Sequence, residues 1–332
     1  MKRFTIYMSL CLVLTAKTYA QDPHFSHYFN SAFSINPAST GKNVDDWRAT
    51  AVFRSQWWGA YSEPYNTTSI AVEKGFTAGL AQKSTFGLGI SLLNDASNGG
   101  LLKNNYAGLH AAYHLALDKN GDQQLGMGIS GIYANRLLNL NMFEYQSQFG
   151  SMGFQRTAPS YDVPVIDNRK YVDFNVGMIY SNRKANSGYY LGAALFHAAK
   201  PVQGAFKNSN YSLDQRYSFQ GGIQWYAKNG NEFAISGLLD VQGGNKVFTA
   251  GAVYRMKMHT TAVETFNLGL WNRFGDACYP YVGVQGKKWL IGISYDIVTS
   301  KINDYNSVQS LELSCAWSFG KQKSEAGMIM RY

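Results

Sequence analysis

The strongest constraint in this chain is a period of two. Leu125, Met127, Ile129, Gly131 and Tyr133 alternate with Gly126, Gly128 and Ser130. Val172, Phe174, Val176, Met178 and Tyr180 alternate with Asp173, Asn175 and Gly177. The pattern returns with Tyr217, Phe219, Gly221, Ile223 and Trp225 against Ser218, Gln220, Gly222 and Gln224. It returns again with Leu311, Leu313, Cys315, Trp317 and Phe319 against Ser310, Glu312, Ser314 and Ser318. Successive side chains of a strand point to opposite faces, so each run is a strand with one greasy and one polar side. Each is about ten residues, the length a tilted strand needs to cross hydrocarbon.

A soluble sandwich would turn the apolar faces inward. Here those faces are heavily aromatic, while the opposite faces carry Gly, Ser, Asn and Gln, which suits a polar lumen. Composition agrees: Tyr 23, Phe 19, Trp 7 and Gly 33, with only 15% charged residues. Only helices and closed barrels satisfy every backbone group in lipid, and no run after the first twenty residues is long enough for a membrane helix. No fixed-period repeat supports a propeller. The expected fold is an all-β, closed antiparallel transmembrane β-barrel of about fourteen strands. The candidate strands are 47–58, 66–73, 84–93, 104–117, 124–134, 171–181, 189–197, 216–227, 232–241, 246–255, 264–274, 279–285, 288–297 and 308–319.

The connections alternate in length as outer-membrane barrels require, with short periplasmic turns and longer external loops. Asp118 to Asp122, Asn182 to Gly188, Lys228 to Asn231 and Gly286-Lys287 are short and rich in turn formers. The two longest connections, near 135–170 and 198–215, fall in the opposite set; the short Gln242 to Asn245 link is the exception. An even strand count places both termini in the periplasm.

The chain opens as an exported protein does. Met1, Lys2 and Arg3 precede an apolar run from Phe4 to Leu14, and Thr18-Tyr19-Ala20 supplies small residues before an expected cut. Gln21 rather than Cys follows, which offers no lipid attachment. The expected layout is therefore a signal peptide at 1–20, a periplasmic N-terminal segment at 21–46, a barrel at 47–319 and a periplasmic tail at 320–332. The net charge of +9 loses Lys2, Arg3 and Lys17 with the signal peptide. The remaining excess is scattered, which points to anionic outer-membrane lipid and not to nucleic acid. Cys278 and Cys315 alone remain after the cut and make no disulfide framework.

No chemistry of catalysis emerges. His110 and His114 share a strand face but lie four residues apart, roughly 13 Å at a rise of about 3.3 Å per residue, too far to hold one metal. His24 and His27 read as polar surface or interface residues. Gly87-Leu88-Gly89 sits mid-strand, where packing explains it better than phosphate binding. No nucleophile, base and orienting group are singled out, so no enzyme, cofactor or metal is expected. The lumen charges say more. Arg48 and Arg54 alternate with Trp47, Phe53 and Trp57, so they face inward, as does Glu312. First and last strands meet in a closed barrel. Either Glu312 pairs with Arg48 or Arg54 across the seam, or lumen water solvates each charge separately.

Two motifs after the signal carry a family resemblance. Gln21-Asp22-Pro23-His24-Phe25-Ser26-His27-Tyr28 and Asn36-Pro37-Ala38-Ser39-Thr40-Gly41 resemble the opening of the PorP/SprF family of the type IX secretion and gliding machinery. Phe53-Arg54-Ser55-Gln56-Trp57, Gly269 to Arg273, and Ser294 to Ile297 with Ser300-Lys301 resemble its later strands. The resemblance implies a Bacteroidetes-type outer-membrane protein. Its partners would be a periplasmic lipoprotein ring, a peptidoglycan-binding adaptor, or the C-terminal domain of a secreted client such as a gliding adhesin. A channel or hydrophobic-solute transporter is the alternative. The bend at Asn36, Pro37 and Gly41 either presents 21–35 to a partner or folds it into the lumen. On the contact reading, Asp22, Pro23, Phe25, Tyr28, Asn36, Pro37, Gly41, Arg331 and Tyr332 are the candidate contact residues.

Overall fold

The structure is a computed structural model that describes residues 22–42, 47–59, 63–77, 83–160, 168–203, 211–260, 262–300 and 308–319. Fourteen strands close into a barrel: β1 Trp47–Trp58, β2 Tyr65–Thr77, β3 Thr85–Ser97, β4 Leu102–Ala116, β5 Gln123–Leu138, β8 Arg169–Arg183, β9 Ser187–Phe196, β10 Arg216–Tyr226, β11 Glu232–Gln242, β12 Asn245–Lys257, β13 Thr265–Arg273, β14 Ala277–Gln285, β15 Trp289–Val298 and β16 Gln309–Phe319. Each is antiparallel to its sequence neighbour in the wall, and β16 returns to pair with β1 from Trp47↔Phe319 onward. Between β5 and β8, β6 (Phe149–Gly150) and β7 (Gly153–Phe154) form a separate small hairpin in the long connection. Closure leaves no unpaired strand edge in lipid.

The two faces follow the sequence alternation. Ile129, Phe174, Phe219 and Ile291 stand exposed on the outside, whereas Ser130, Asn175, Ser218 and Ser294 are buried inside. Such outward side chains gain nothing from a protein core; their solvent is the hydrocarbon of the bilayer. Several strands run further than the apolar pattern. β3 continues through Asn94, Asp95, Ala96 and Ser97, paired with β4 as far as Leu102. Beyond the hydrocarbon both faces can be wet, so hydrogen bonding continues after the alternation has ended.

Connections at one end are short; those at the other include the two longest, between β5 and β8 and between β9 and β10. We refer to these as the short-turn and long-loop ends. β1 begins and β16 finishes at the short-turn end.

The interior is not empty. Residues 22–42 thread the lumen, the inward of the two courses open to the bend at Asn36, Pro37 and Gly41. Asp22 lies at the long-loop end beside Gln242, and Gly41 lies at the short-turn end beside Glu73. The segment is folded as three single 3-10 turns, Tyr28–Asn30, Ala32–Ser34 and Pro37–Ser39. The reason is chemical: its aromatic and polar groups match a lumen wall that offers both. The expected contact residues Phe25, Tyr28, Asn36, Pro37 and Gly41 are accordingly buried. His27, read as a polar surface or interface residue, is completely buried against the lumen wall. The stretch 1–20 expected to be a signal peptide, 43–46, the tail 320–332, and with it Arg331 and Tyr332, lie outside the described residues.

Candidate functional site

The threaded segment is held at four levels. Nearest the short-turn end, Asn36 organises the bend. Its Oδ1 accepts from the Ala38 N–H at 2.8 Å, while its Nδ2 donates to the Met178 and Ala193 carbonyls of the wall at 3.0 and 3.3 Å. Pro37 occupies the first position of the following turn, where its missing N–H is no loss. The wall comes very close here. A Cβ on Gly177 would sit 2.0 Å from Asn36 Oδ1, and one on Gly128 would sit 2.4 Å from the Ala38 nitrogen. Thr40 passes its carbonyl to the His114 ring at 2.9 Å. Gly41 then takes φ 65° and donates its N–H to Glu73 at 2.7 Å.

At mid-lumen the contact is aromatic. Phe29 lies 5.0 Å from Trp271 and 5.4 Å, edge-on, from Tyr281. Phe33 stacks on His110 at 4.2 Å. The Tyr28 hydroxyl meets the Ser236 hydroxyl at 2.5 Å. His110 and His114 thus both serve the segment, each at a different height.

Above this lies a charge network at the seam. Glu312 is wholly buried and accepts the main-chain N–H groups of Ser26 and His27, each at 2.6 Å. Arg54 faces Glu312 across the seam at 3.8 Å and is closer to Asp296, at 2.8 Å. Arg273 adds a second guanidinium to Asp296 at 2.6 Å and binds Asp276 at 2.6 Å. Arg54 also donates to the His24 carbonyl, and Ser26 Oγ donates to Asp296 at 2.9 Å. Arg48 does not belong to this group. It pairs with Glu73 at 3.2 Å, because β2 offers a carboxylate directly opposite in the register.

At the long-loop end Asp22 is clamped. His197 bridges it to Asp173 through ring nitrogens at 2.7 Å on each side, and Arg216 approaches it at 3.4 Å. Arg216 also donates to the Ser34 carbonyl at 2.8 Å. Burial alone would lower the His197 pKa, but the flanking Asp22 and Asp173 carboxylates overcome it and raise the ring to about 9. Burial alone would raise the Asp22 carboxyl; the charges of His197 and Arg216 overcome that and hold it well below its usual value. Pro23 and His24 form the floor of a cavity above the segment at this end.

Of the residues singled out from sequence, Asp22, Pro23, Phe25, Tyr28, Asn36, Pro37 and Gly41 lie in the threaded segment, Arg54 and Glu312 bond to it, and Arg48 is linked to it through Glu73. Sequence reasoning passed over Glu73, Asp173, His197, Arg216, Arg273 and Asp296. Five of these sit at strand positions or ends where alternation already turns them inward, as Asp296 does between Tyr295 and Ile297. Inward charge on several strands was the available signal. Trp57 was placed wrongly: alternation put it on the lipid side, but a bulge turns it to the lumen mouth.

The family model of the type IX secretion system membrane protein PorP/SprF matches residues 17–317. No curated protein matches the chain. Among solved structures it is similar to the toluene transporter TodX of Pseudomonas putida, at 9% identity over 91% of this chain and 95% of that one, TM-score 0.48. It is also similar to a FadL homologue of Pseudomonas aeruginosa, at 10% identity over 82% and 90%, TM-score 0.41. BamA of Haemophilus ducreyi lacking POTRA domains 1-3 gives 9% identity over 83% and 70%, TM-score 0.42.

Proposed function

The chain belongs to the PorP/SprF family of type IX secretion system membrane proteins, and we propose that it acts in the outer membrane as a plugged, non-enzymatic barrel that positions a secretion partner. The observation that carries this reading is the filled lumen: among the described residues, 22–42 occupy it from one end to the other and are bonded to the wall at every level. Binding and positioning then become the work of the outer surfaces. With the short turns in the periplasm, the long loops face outward. The loop between β5 and β8 holds an apolar tip there, with the Phe149 and Phe154 rings tilted against one another at 5.3 Å and Met152 86% exposed.

The partner is a periplasmic ring lipoprotein, a peptidoglycan-binding adaptor, or the C-terminal domain of a secreted adhesin. On this reading Asp22, Pro23, Phe25, Tyr28, Asn36, Pro37 and Gly41 hold the plug, and so shape the partner surface from within. Arg331 and Tyr332 are direct contacts on the periplasmic side. Affinity purification from native membranes in mild detergent tests the proposal. Lipoproteins in the eluate mark a subunit of the core machine, and one very large surface protein marks a dedicated client partner. A barrel that elutes alone under several mild detergents would count against it.

A further inference from the structure

The cavity above Pro23 and His24 has a volume of about 530 Å³, within the range of about 300–1,000 Å³ usual for small-ligand sites. Its wall comes from a departure from the strand rule. β1 pairs with β16 up to Gln56↔Ser310 and resumes at Trp58↔Gln309, which leaves Trp57 as an extra residue. Its φ of 63° is left-handed backbone that a bulky side chain rarely adopts. A bulge bends the strand and re-aims a side chain, often beside a site. Here it takes Trp57 off the lipid-facing phase and lays it on the cavity wall. Tyr65 stands edge-on to it, 5.1 Å between centroids and 80° between planes.

The charges around the cavity fall into two sets. Arg54, Arg273, Asp22 and Asp276 are engaged in the ion pairs already described. Arg136 and Lys246 also line the cavity, and among the described residues neither has a carboxylate within ion-pair distance. The Arg136 Nε is buried without a hydrogen-bond partner. Asp95 is bonded to the Thr67 hydroxyl at 2.6 Å and to the Asn104 side chain, not to a cation. The cavity therefore offers an aromatic pair, two spare cations and a carboxylate–amide pair.

We propose that this cavity binds an acidic saccharide unit. The C–H face of the sugar ring packs on Trp57 and Tyr65, which bring large apolar area at low entropic cost. Arg136 and Lys246 meet its carboxylate or phosphate, a role for which a guanidinium fork is well shaped. Asp95 and Asn104 take hydroxyl groups. An apolar solute would strand the spare charges, and a simple anion would leave the aromatic pair unused.

Saturation-transfer NMR on the full chain in nanodiscs tests this with glucuronic acid, glucose 6-phosphate and glucose as probes. At least one charged sugar binds saturably and about tenfold more tightly than glucose, a difference of ~1.4 kcal/mol. Arg136→Gln and Trp57→Ala each weaken it by about tenfold or more, and Arg136→Lys retains part of the affinity. Tyr65→Ala replaces Trp57→Ala if the latter loses the heat-dependent gel shift of a folded barrel. Equal affinity for glucose and the charged sugars, no saturation by any probe, or binding indifferent to Arg136→Gln would overturn the proposal. None of these results touches the secretion partner, whose test is separate.

Discussion

Glu312 on β16 sits directly across the seam from Arg54 on β1, and both reach past one another to the same stretch of the threaded segment, Glu312 to the N–H groups of Ser26 and His27 and Arg54 to the carbonyl of His24. The seam and the plug are therefore held by shared side chains.

This sharing is open to a double-mutant cycle. Glu312→Ala leaves two main-chain N–H groups without an acceptor, at about 1–3 kcal/mol each, and Arg54→Ala leaves Asp296 and Glu312 short of a cation. Because both changes disturb one network, their effects on urea unfolding from liposomes should not add; a coupling of about 0.5–3 kcal/mol is expected. Strict additivity would show that each charge is solvated on its own.

The plug predicts silence in planar bilayers. The intact protein passes no steady current, whereas a variant lacking 22–35 opens a stable pore, since that stretch fills the upper and middle lumen. A steady conductance from the intact chain equal to that of the deletion would show that the segment does not seal the lumen.

Steric fit at the Asn36 bend gives a third expectation. Gly128→Val or Gly177→Val forces side-chain atoms into space held by Ala38 or Asn36. Overpacking typically costs about 1–3 kcal/mol, and protease access to the N-terminal segment should rise. If limited proteolysis of the folded variants matches the parent, the close approach described here is not rigid.

The Asp22 clamp has a defined pH window. His197 is raised from 6.5 to about 9 in the folded state, so its contribution is complete below 6.5 and is lost as pH climbs through 9. Asp22 is depressed below 3.8, so its contribution is present above 3.8 and is lost as pH falls through its lowered folded value. Release of the segment, read by cleavage near residue 22, should rise between neutral pH and pH about 9. His197→Gln should flatten that rise, and an unchanged profile in this variant would remove His197 from the account.

The barrel was legible in the sequence because lipid outside and polar lumen inside impose opposite demands on neighbouring residues. Strand phase followed directly, as at Ile129 and Ser130. The plug was not settled, because Asn36, Pro37 and Gly41 specify a bend but not its direction. That direction depends on wall residues far away in sequence, among them Gly128 and Gly177. Partner choice within the lumen was equally non-local: Arg48 finds Glu73 on β2, while Arg54 and Arg273 converge on Asp296. Trp57 defeated the alternation rule because a single extra residue shifts the phase, and nothing in Gln56-Trp57-Trp58 announces it.

The polarity of the threaded segment has a consequence for assembly. Its first described residue lies at the opposite mouth from the start of β1, so the segment crosses the height of the ring before the chain turns into the wall. A barrel that closes around it gains the Arg54 and Glu312 contacts of seam and plug together, whereas a chain without those turns closes on a seam that has lost them.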